Sequence, residues 1–235
     1  MRLVTWNCRI GGFRYKSEHM ALLRPDVLAV QEVEPIDGLL IFAGECQPTY
    51  SDRLAHPLYR RRSIGVFSYT STSLEALDHG DPMYEFRRFR GERDGLRFQV
   101  AAVWTAATTP PENSYRQAID GVRRYENWMQ NTPTVMLGDF NDNASYQSTR
   151  MPELLGLLDP MGLVSAYHSF FGEPFGGESQ PTYYHRSRTG GFVGHLDYCF
   201  VPRSWAAKIV NVQVGTHDSW LDKSDHMPVI VDLDL

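Results

Sequence analysis

Short apolar runs of strand length recur from one end of this 235-residue chain to the other, and several of them end in a carboxylate or an amide. That pattern confines the chain to a layered, strand-rich fold. Residues 26–33 (DVLAVQEV) are apolar at nearly every position, as in a strand buried on both faces. Residues 3–6, 63–69, 74–77, 96–105, 134–137, 196–201, 208–214 and 227–233 also read as strands. Helical spacing marks 17–23, with Ser17 as N-cap, then 114–130 and 152–158. In 114–130 the residues Tyr115, Ile119, Val122, Tyr125 and Met129 share one stripe. The Gly-rich polar stretch 172–191 reads as a functional surface loop, because strands resume on both sides of it. With no internal repeat and no linker, one domain is expected over residues 1–235. Many strands with few helices imply two packed sheets flanked by helices.

Composition limits the function. A hydrophobic fraction of 42 % with 22 % charged residues belongs to a globular chain, not a disordered one. The formal net charge of −5 argues against a protein that coats nucleic acid by charge alone, although local basic patches remain. Cys8, Cys46 and Cys199 are odd in number and none stands in C-x-x-C spacing, which disfavours a disulfide framework or a thiolate zinc site. A reduced, cytoplasmic protein is expected. There is no apolar stretch of the roughly 18 residues that a membrane span needs, and the first residues, MRLVTWN, lack a secretory core.

The chemistry lies where the polar residues fall. Asn7 stands just past the first run, and Glu32 follows Gln31 near the end of the second. Asp139 and Asn141 occur in Gly138-Asp139-Phe140-Asn141, and Asp225 and His226 precede the last strand. Each of these alone is ordinary turn or cap chemistry. Asp197 is harder to dismiss, because it lies inside the run HLDYCF at 195–200, and an unpaired buried carboxylate is too costly to leave without a partner. Together these groups can converge at one end of the sheets, giving an oxygen-rich site with a histidine beside it. Hard oxygen ligands without thiolates suit Mg²⁺, with Mn²⁺ as a substitute. A metal, a base for water and amide donors are what phosphodiester hydrolysis requires.

Thr5-Trp6-Asn7, Gln31-Glu32, Gly138-Asp139-Phe140-Asn141, His195-Leu196-Asp197-Tyr198 and Ser224-Asp225-His226-Met227-Pro228 stand in the order found in the endonuclease/exonuclease/phosphatase superfamily. The chain resembles that superfamily from residue 3 to residue 233. The resemblance implies a four-layer α/β sandwich, with two mixed β-sheets packed face to face and helices outside. It implies Glu32 as the principal Mg²⁺ ligand, with Asn7 beside the metal and Asp225 completing the acidic cluster. It implies that Asp139 orients or deprotonates the attacking water and that the Asn141 amide binds a phosphate oxygen. His226 would contact the scissile phosphate, held by Asp197, which fixes its tautomer and raises its basicity. One departure stands out. Many family nucleases carry a histidine in the strand before the central helix, whereas QVAAVWT at 99–105 puts Trp104 in that place. An indole is a donor only and cannot act as the leaving-group acid. His168, His185 and Tyr115 are the candidate substitutes, and His168 is also expected at the rim of the site in contact with substrate.

Two basic clusters bear on the substrate: Arg60, Arg61 and Arg62, and then Arg87, Arg88, Arg90, Arg93 and Arg97 interleaved with Phe86, Phe89 and Phe98. Arginine beside aromatics suits phosphate contact and base stacking; a solvated hairpin is the equal alternative. Arg88 and Arg90 are the expected substrate contacts of the second cluster. The expectation is a Mg²⁺-dependent nuclease acting on DNA or RNA. The alternatives are a phosphodiesterase or phosphatase for a small or lipid phosphate, and a catalytically silent binding protein. A lipid-acting form calls for an apolar hairpin or amphipathic helix at the rim, and no strong candidate stands out.

Overall fold

The computed structural model describes residues 1–34, 62–77, 83, 85–105, 112–185 and 191–235. Cys46, Arg60 and Arg61 lie outside the described residues. The strands are β1 (Arg2–Asn7), β2 (Val27–Val33), β3 (Ser63–Phe67), β4 (Ser73–Ala76), β5 (Phe86–Arg93), β6 (Leu96–Trp104), β7 (Thr134–Asp139), β8 (Leu163–Ser165), β9 (Tyr183–Tyr184), β10 (Val193–Gly194), β11 (Asp197–Pro202), β12 (Ile209–Val214) and β13 (Val229–Leu233). The helices are α1 (Phe13–Leu23), α2 (Glu112–Gln130), α3 (Met151–Leu158), α4 (Ala166–Phe171) and α5 (His217–Trp220).

Two mixed sheets form the body. One runs β12-β13-β1-β2-β3, with β1 parallel to β2 and antiparallel to β13. The other runs β4-β5-β6-β7-β11-β8, with β6 parallel to β7 and the remaining pairs antiparallel. Strands β9 and β10 make a separate two-stranded ribbon. The apolar side chains sort into three packing layers. Leu3, Val27, Ala29 and Val231 meet Phe89, Val100, Ala102 and Leu137 between the sheets. Val4, Trp6, Leu28 and Val30, on the outer face of the first sheet, pack on Phe13 and Met20 of α1. Ala101, Val103 and Met136, on the outer face of the second, pack on Ile119 and Val122 of α2 and on Met151 and Leu154 of α3. The order is therefore helix, sheet, sheet, helix, the four-layer sandwich expected above. The period-2 alternation of β6 assigns its residues to opposite layers.

Two local expectations change. Helix α1 begins at Phe13, not Ser17, and Ser17 is buried within it. The cap comes from a distant residue: the Glu34 carboxylate accepts Phe13 N at 2.8 Å and Arg14 N at 3.1 Å. No reading of the helix's own residues reveals such a cap. The arginine-rich segment 86–93 is a strand of the second sheet, with Phe86 fully buried and Phe89 nearly so. Cys8 and Cys199 are buried, and burial pushes both thiols up, so neither is a nucleophile. Among the described residues no helix is long and apolar enough to cross a membrane.

Candidate active site

The ends of β1, β2 and β7 and the starts of β11 and β13 meet at one edge of the sandwich. Pairing register does much of the alignment. Antiparallel β7 and β11 place Asp139 directly opposite Asp197, and parallel β6 and β7 place Trp104 beside Asp139. Gly138 permits this approach, because a Cβ there would lie 1.9 Å from the Val103 carbonyl oxygen. The loop before β13 is pinned onto β1: Trp6 Nε1 donates to His226 O, and Ser224 Oγ donates to Asn7 O and accepts from His226 N. Residues nearly at opposite ends of the chain are thereby fixed beside each other.

His226 stands between two carboxylates. Its Nδ1 donates to Asp197 Oδ2 at 2.9 Å, and its Nε2 lies 3.9 Å from Asp139 Oδ2. All three side chains are buried. Burial alone would lower the His226 pKa, but Asp197 and Asp139 override it and raise the value well above that of free histidine. Burial raises the Asp139 carboxyl against the pull of His226, and Asp197 adds to the rise. The cluster therefore favours an imidazolium held between two acids. Leu196 N and Asp197 N both donate to Thr182 Oγ1, which fixes the start of β11.

Glu32, Asn7 and Asp225 surround this centre. Asn7 Nδ2 bridges Asp139 Oδ2 at 2.9 Å and Glu32 Oε1 at 3.2 Å. Glu32 Oε2 accepts Ile10 N at 2.6 Å and Arg62 Nη1 at 2.8 Å, and Asp225 pairs with Arg9 Nε at 3.2 Å. Glu32 and Asp225 line a cleft of about 350 Å³ together with Trp104, Asp139, Asn141, Tyr183, His185 and His226. Its backbone is strained. Among the described residues six non-glycines have positive φ, and four of them, Arg9, Ile10, Glu32 and Asn141, line this cleft. The carboxylates of Glu32 and Asp225 are hard oxygen donors with no sulfur among them and fit a hard divalent cation; the Asn7 amide oxygen, expected beside the metal, instead accepts Arg9 N at 2.9 Å, and its NH2 end faces Glu32 and Asp139. Each of the two carboxylates carries a guanidinium, so the site already gathers cations. Asp139, Asp197 and His226 also offer one donor atom each within 4.8 Å of one another. There, however, the imidazole nitrogen that faces Asp197 is already hydrogen-bonded to it, and the imidazolium supplies the cation.

Several expected contacts fall elsewhere. Asn141 Nδ2 donates to Thr105 O at 2.6 Å and to Asp139 Oδ2 at 3.1 Å, which occupies both amide hydrogens. In this arrangement it buttresses Asp139 from the cleft wall. His168 is absent from the cleft lining: its ring binds Ser165 Oγ and Glu178 and stacks on Phe175 with centroids 3.6 Å apart. Burial would raise the Glu178 carboxyl, but hydrogen bonds from His168, Gly176 N and Asn143 hold it down at about 2. Of the three substitute acids, only His185 lines the cleft.

Arg88 and Arg90 are also displaced. Arg90 pairs opposite Gln99, five residues from Trp104 and so about 17 Å along the strand from the cleft. It is exposed beside Glu75. The Arg88 guanidinium lies 3.9 Å from the centroid of the Tyr125 ring of α2, so it packs a helix on the sheet. Among the described residues, the arginines that line the cleft are Arg9 and Arg62. Arg62 belongs to a basic cluster visible in the sequence, whereas Arg9 is a single charge in a turn and carries no signal there. Tyr183, whose ring centroid is 4.7 Å from that of His226, also lines this cleft.

A model of the Endonuclease/Exonuclease/phosphatase family matches residues 4–226. No curated protein matches the chain. Among solved structures, the endonuclease domain of TRAS1, a telomere-specific non-LTR retrotransposon, is similar at 14 % identity and a TM-score of 0.72, with 100 % of this chain and 98 % of that one covered. The 3′ phosphatase NExo from Neisseria bound to a product DNA hairpin is similar at 18 % identity and a TM-score of 0.70, with both chains covered in full. TDP2 of D. rerio complexed with a single-strand DNA product is similar at 11 % identity and a TM-score of 0.72, with 100 % and 99 % covered. At these identities the three share the fold.

Proposed function

Because this chain belongs to the endonuclease/exonuclease/phosphatase family, and is on that account a hydrolase of phosphate esters, we propose that it is a divalent-metal-dependent nuclease acting on DNA or RNA. The observation that carries the reading is His226 held between Asp197 and Asp139 on the wall of a cleft that also bears Glu32 and Asp225, with Asn7 bridging Asp139 to Glu32. Glu32 and Asp225 would hold Mg²⁺ or Mn²⁺, with Asn7 orienting Glu32 beside the ion. The ion supplies Lewis-acid stabilisation of charge on the phosphate and its leaving oxygen.

The chain's own residues do the rest. Asp139 accepts a hydrogen bond from the attacking water and directs its lone pair at phosphorus. Asn7 and Asn141 hold the Asp139 oxygens in place. His226, protonated and fixed by Asp197, donates from Nε2 to a phosphate oxygen as negative charge grows there. Arg9 and Arg62 stand ready on the same wall for the remaining phosphate oxygens, since a guanidinium pairs with phosphate as readily as with carboxylate. A nucleic-acid substrate is supported by these two arginines and by the DNA products held by the structural relatives of similar fold.

The test is a panel of single- and double-stranded DNA, RNA and nitrophenyl phosphate esters, each with Mg²⁺, with Mn²⁺ and with a chelator. Cleavage of the polynucleotides that stops with chelator is the expected result. Hydrolysis confined to the nitrophenyl esters would move the assignment to a small-phosphate phosphatase. Glu32→Gln with full activity in limiting Mg²⁺ would remove Glu32 from the metal.

A further inference from the structure

Beside the cleft the chain builds an aromatic shelf that none of the catalytic roles above uses. Phe192 is an apolar ring left 46 % exposed. It packs on Tyr146 at a steep angle, 65° between the ring planes with centroids 5.4 Å apart, and Tyr183 lies 6.2 Å away. Tyr183 in turn packs on His226 and lines the cleft. The row therefore leads from the phosphate-facing histidine outward to an open ring.

The shelf is held firmly. Phe192 seats over Gly194, where a Cβ would come within 2.8 Å of Phe192 Cζ and 3.0 Å of Tyr146 Oη. Phe192 O accepts His185 N at 2.8 Å, closing the β9–β10 ribbon. That ribbon is bonded to the His226 loop itself: Tyr184 N donates to Asp225 O at 2.8 Å, and Met227 N donates to Thr182 O at 2.7 Å. A ring fixed by backbone bonds to the phosphate site has a defined place relative to the scissile bond.

We propose that Phe192, supported by Tyr146 and Tyr183, stacks a nucleobase that flanks the scissile phosphate. Exposing a large aromatic ring to water is unfavourable, and a flat ring beside a phosphodiester site matches the one flat apolar group that every nucleotide carries. A lipid surface fits less well. Its anchor needs a broad aliphatic face, whereas two of the three rings here end in hydroxyls and the row is a single ring wide. The proposal rests on the nuclease reading and narrows it to substrates with a base next to the cleaved bond.

The experiment compares a single-stranded DNA oligonucleotide with two versions carrying a tetrahydrofuran abasic residue immediately 5′ or 3′ of the cleaved phosphate. In the wild type, one of the two replacements should raise KM about tenfold, the scale of one base–aromatic stack. In Phe192→Ala that ratio should collapse toward one, and Phe192→Trp, which keeps a ring, should restore it. Thermal melts of each variant check folding. A wild-type enzyme indifferent to both abasic residues overturns the proposal. So does a Phe192→Ala variant that keeps the full ratio, or one impaired only on vesicles containing a lipid phosphodiester. If no oligonucleotide is cleaved while bis(p-nitrophenyl) phosphate is, the nuclease reading itself has failed and the shelf falls with it.

Discussion

The strand-end cleft and the arginine-rich strand β5 both stand out in the sequence, and they meet opposite fates in the fold. In the cleft, polar groups from distant parts of the chain converge. Asn7 touches Asp139, Asp139 faces His226, and His226 binds Asp197, all buried. In β5 the charges disperse. Arg88 lies on Tyr125, Arg93 pairs with Asp26, and Arg90 meets Glu75 at the surface. The difference is one of cost. A buried carboxylate without a partner is expensive, so Asp197 in an apolar run demands convergence. An arginine at the surface, such as Arg90, costs almost nothing wherever it points, so most of the cluster carries no such demand; Arg87, buried in the same strand, is the exception.

The largest expected effect breaks the cleft. His226→Ala should lower turnover about 10³-fold on every substrate, within the range for a group that transfers or stabilises a proton at the reacting centre. Steady-state kinetics on an oligonucleotide and on a nitrophenyl ester will show it; a decrease on only one of them would mean that His226 serves binding. Asp197→Asn should follow at about 10²-fold, with the melting transition retained, because the amide keeps the shape and removes the charge that orients the imidazole. The double variant should be no worse than His226→Ala alone, since the two act as one unit. Additive effects would separate them.

The next prediction sharpens the comparison through salt. Arg9→Ala and Arg62→Ala should each raise KM for a polynucleotide. Each should also flatten the dependence of log K on log salt by about one unit for every phosphate that is no longer neutralised. Arg88→Ala and Arg90→Ala, the one packed on Tyr125 and the other beside Glu75 away from the cleft, should leave that slope unchanged. If they flatten it, β5 does track a polyanion and the contrast between the regions fails. The smallest effect concerns stability. Arg88→Ala should lower it by about 1 kcal/mol, because the guanidinium no longer packs on the Tyr125 ring, whereas Arg90→Ala should stay within about 0.5 kcal/mol. Chemical denaturation of both variants measures the difference.

Much of the sandwich is legible in the residues alone, because alternation and apolar runs are local properties of strands and helices. Two packed sheets flanked by helices, the helical stripe of α2, and the strand ends bearing Asn7, Glu32, Asp139 and Asp197 all follow from them. The need of Asp197 for a partner is equally legible, since burial follows from its neighbours. The identity of its partners depends on long-range placement. The β7–β11 register sets Asp139 opposite Asp197, and the pinned loop before β13 brings His226 between them. The same holds for the Glu34 cap of α1, the burial of His168 against Glu178, and the choice of Arg9 and Arg62 over Arg88 and Arg90 as the cleft's cations. Residue order decides which groups cannot stand alone in a core, because the penalty for burying them is set by the residue and its immediate neighbours. Which groups meet is settled by the assembled fold, because contact between residues 197 and 226, or 7 and 139, depends on sheet register and loop closure over stretches that no local pattern spans.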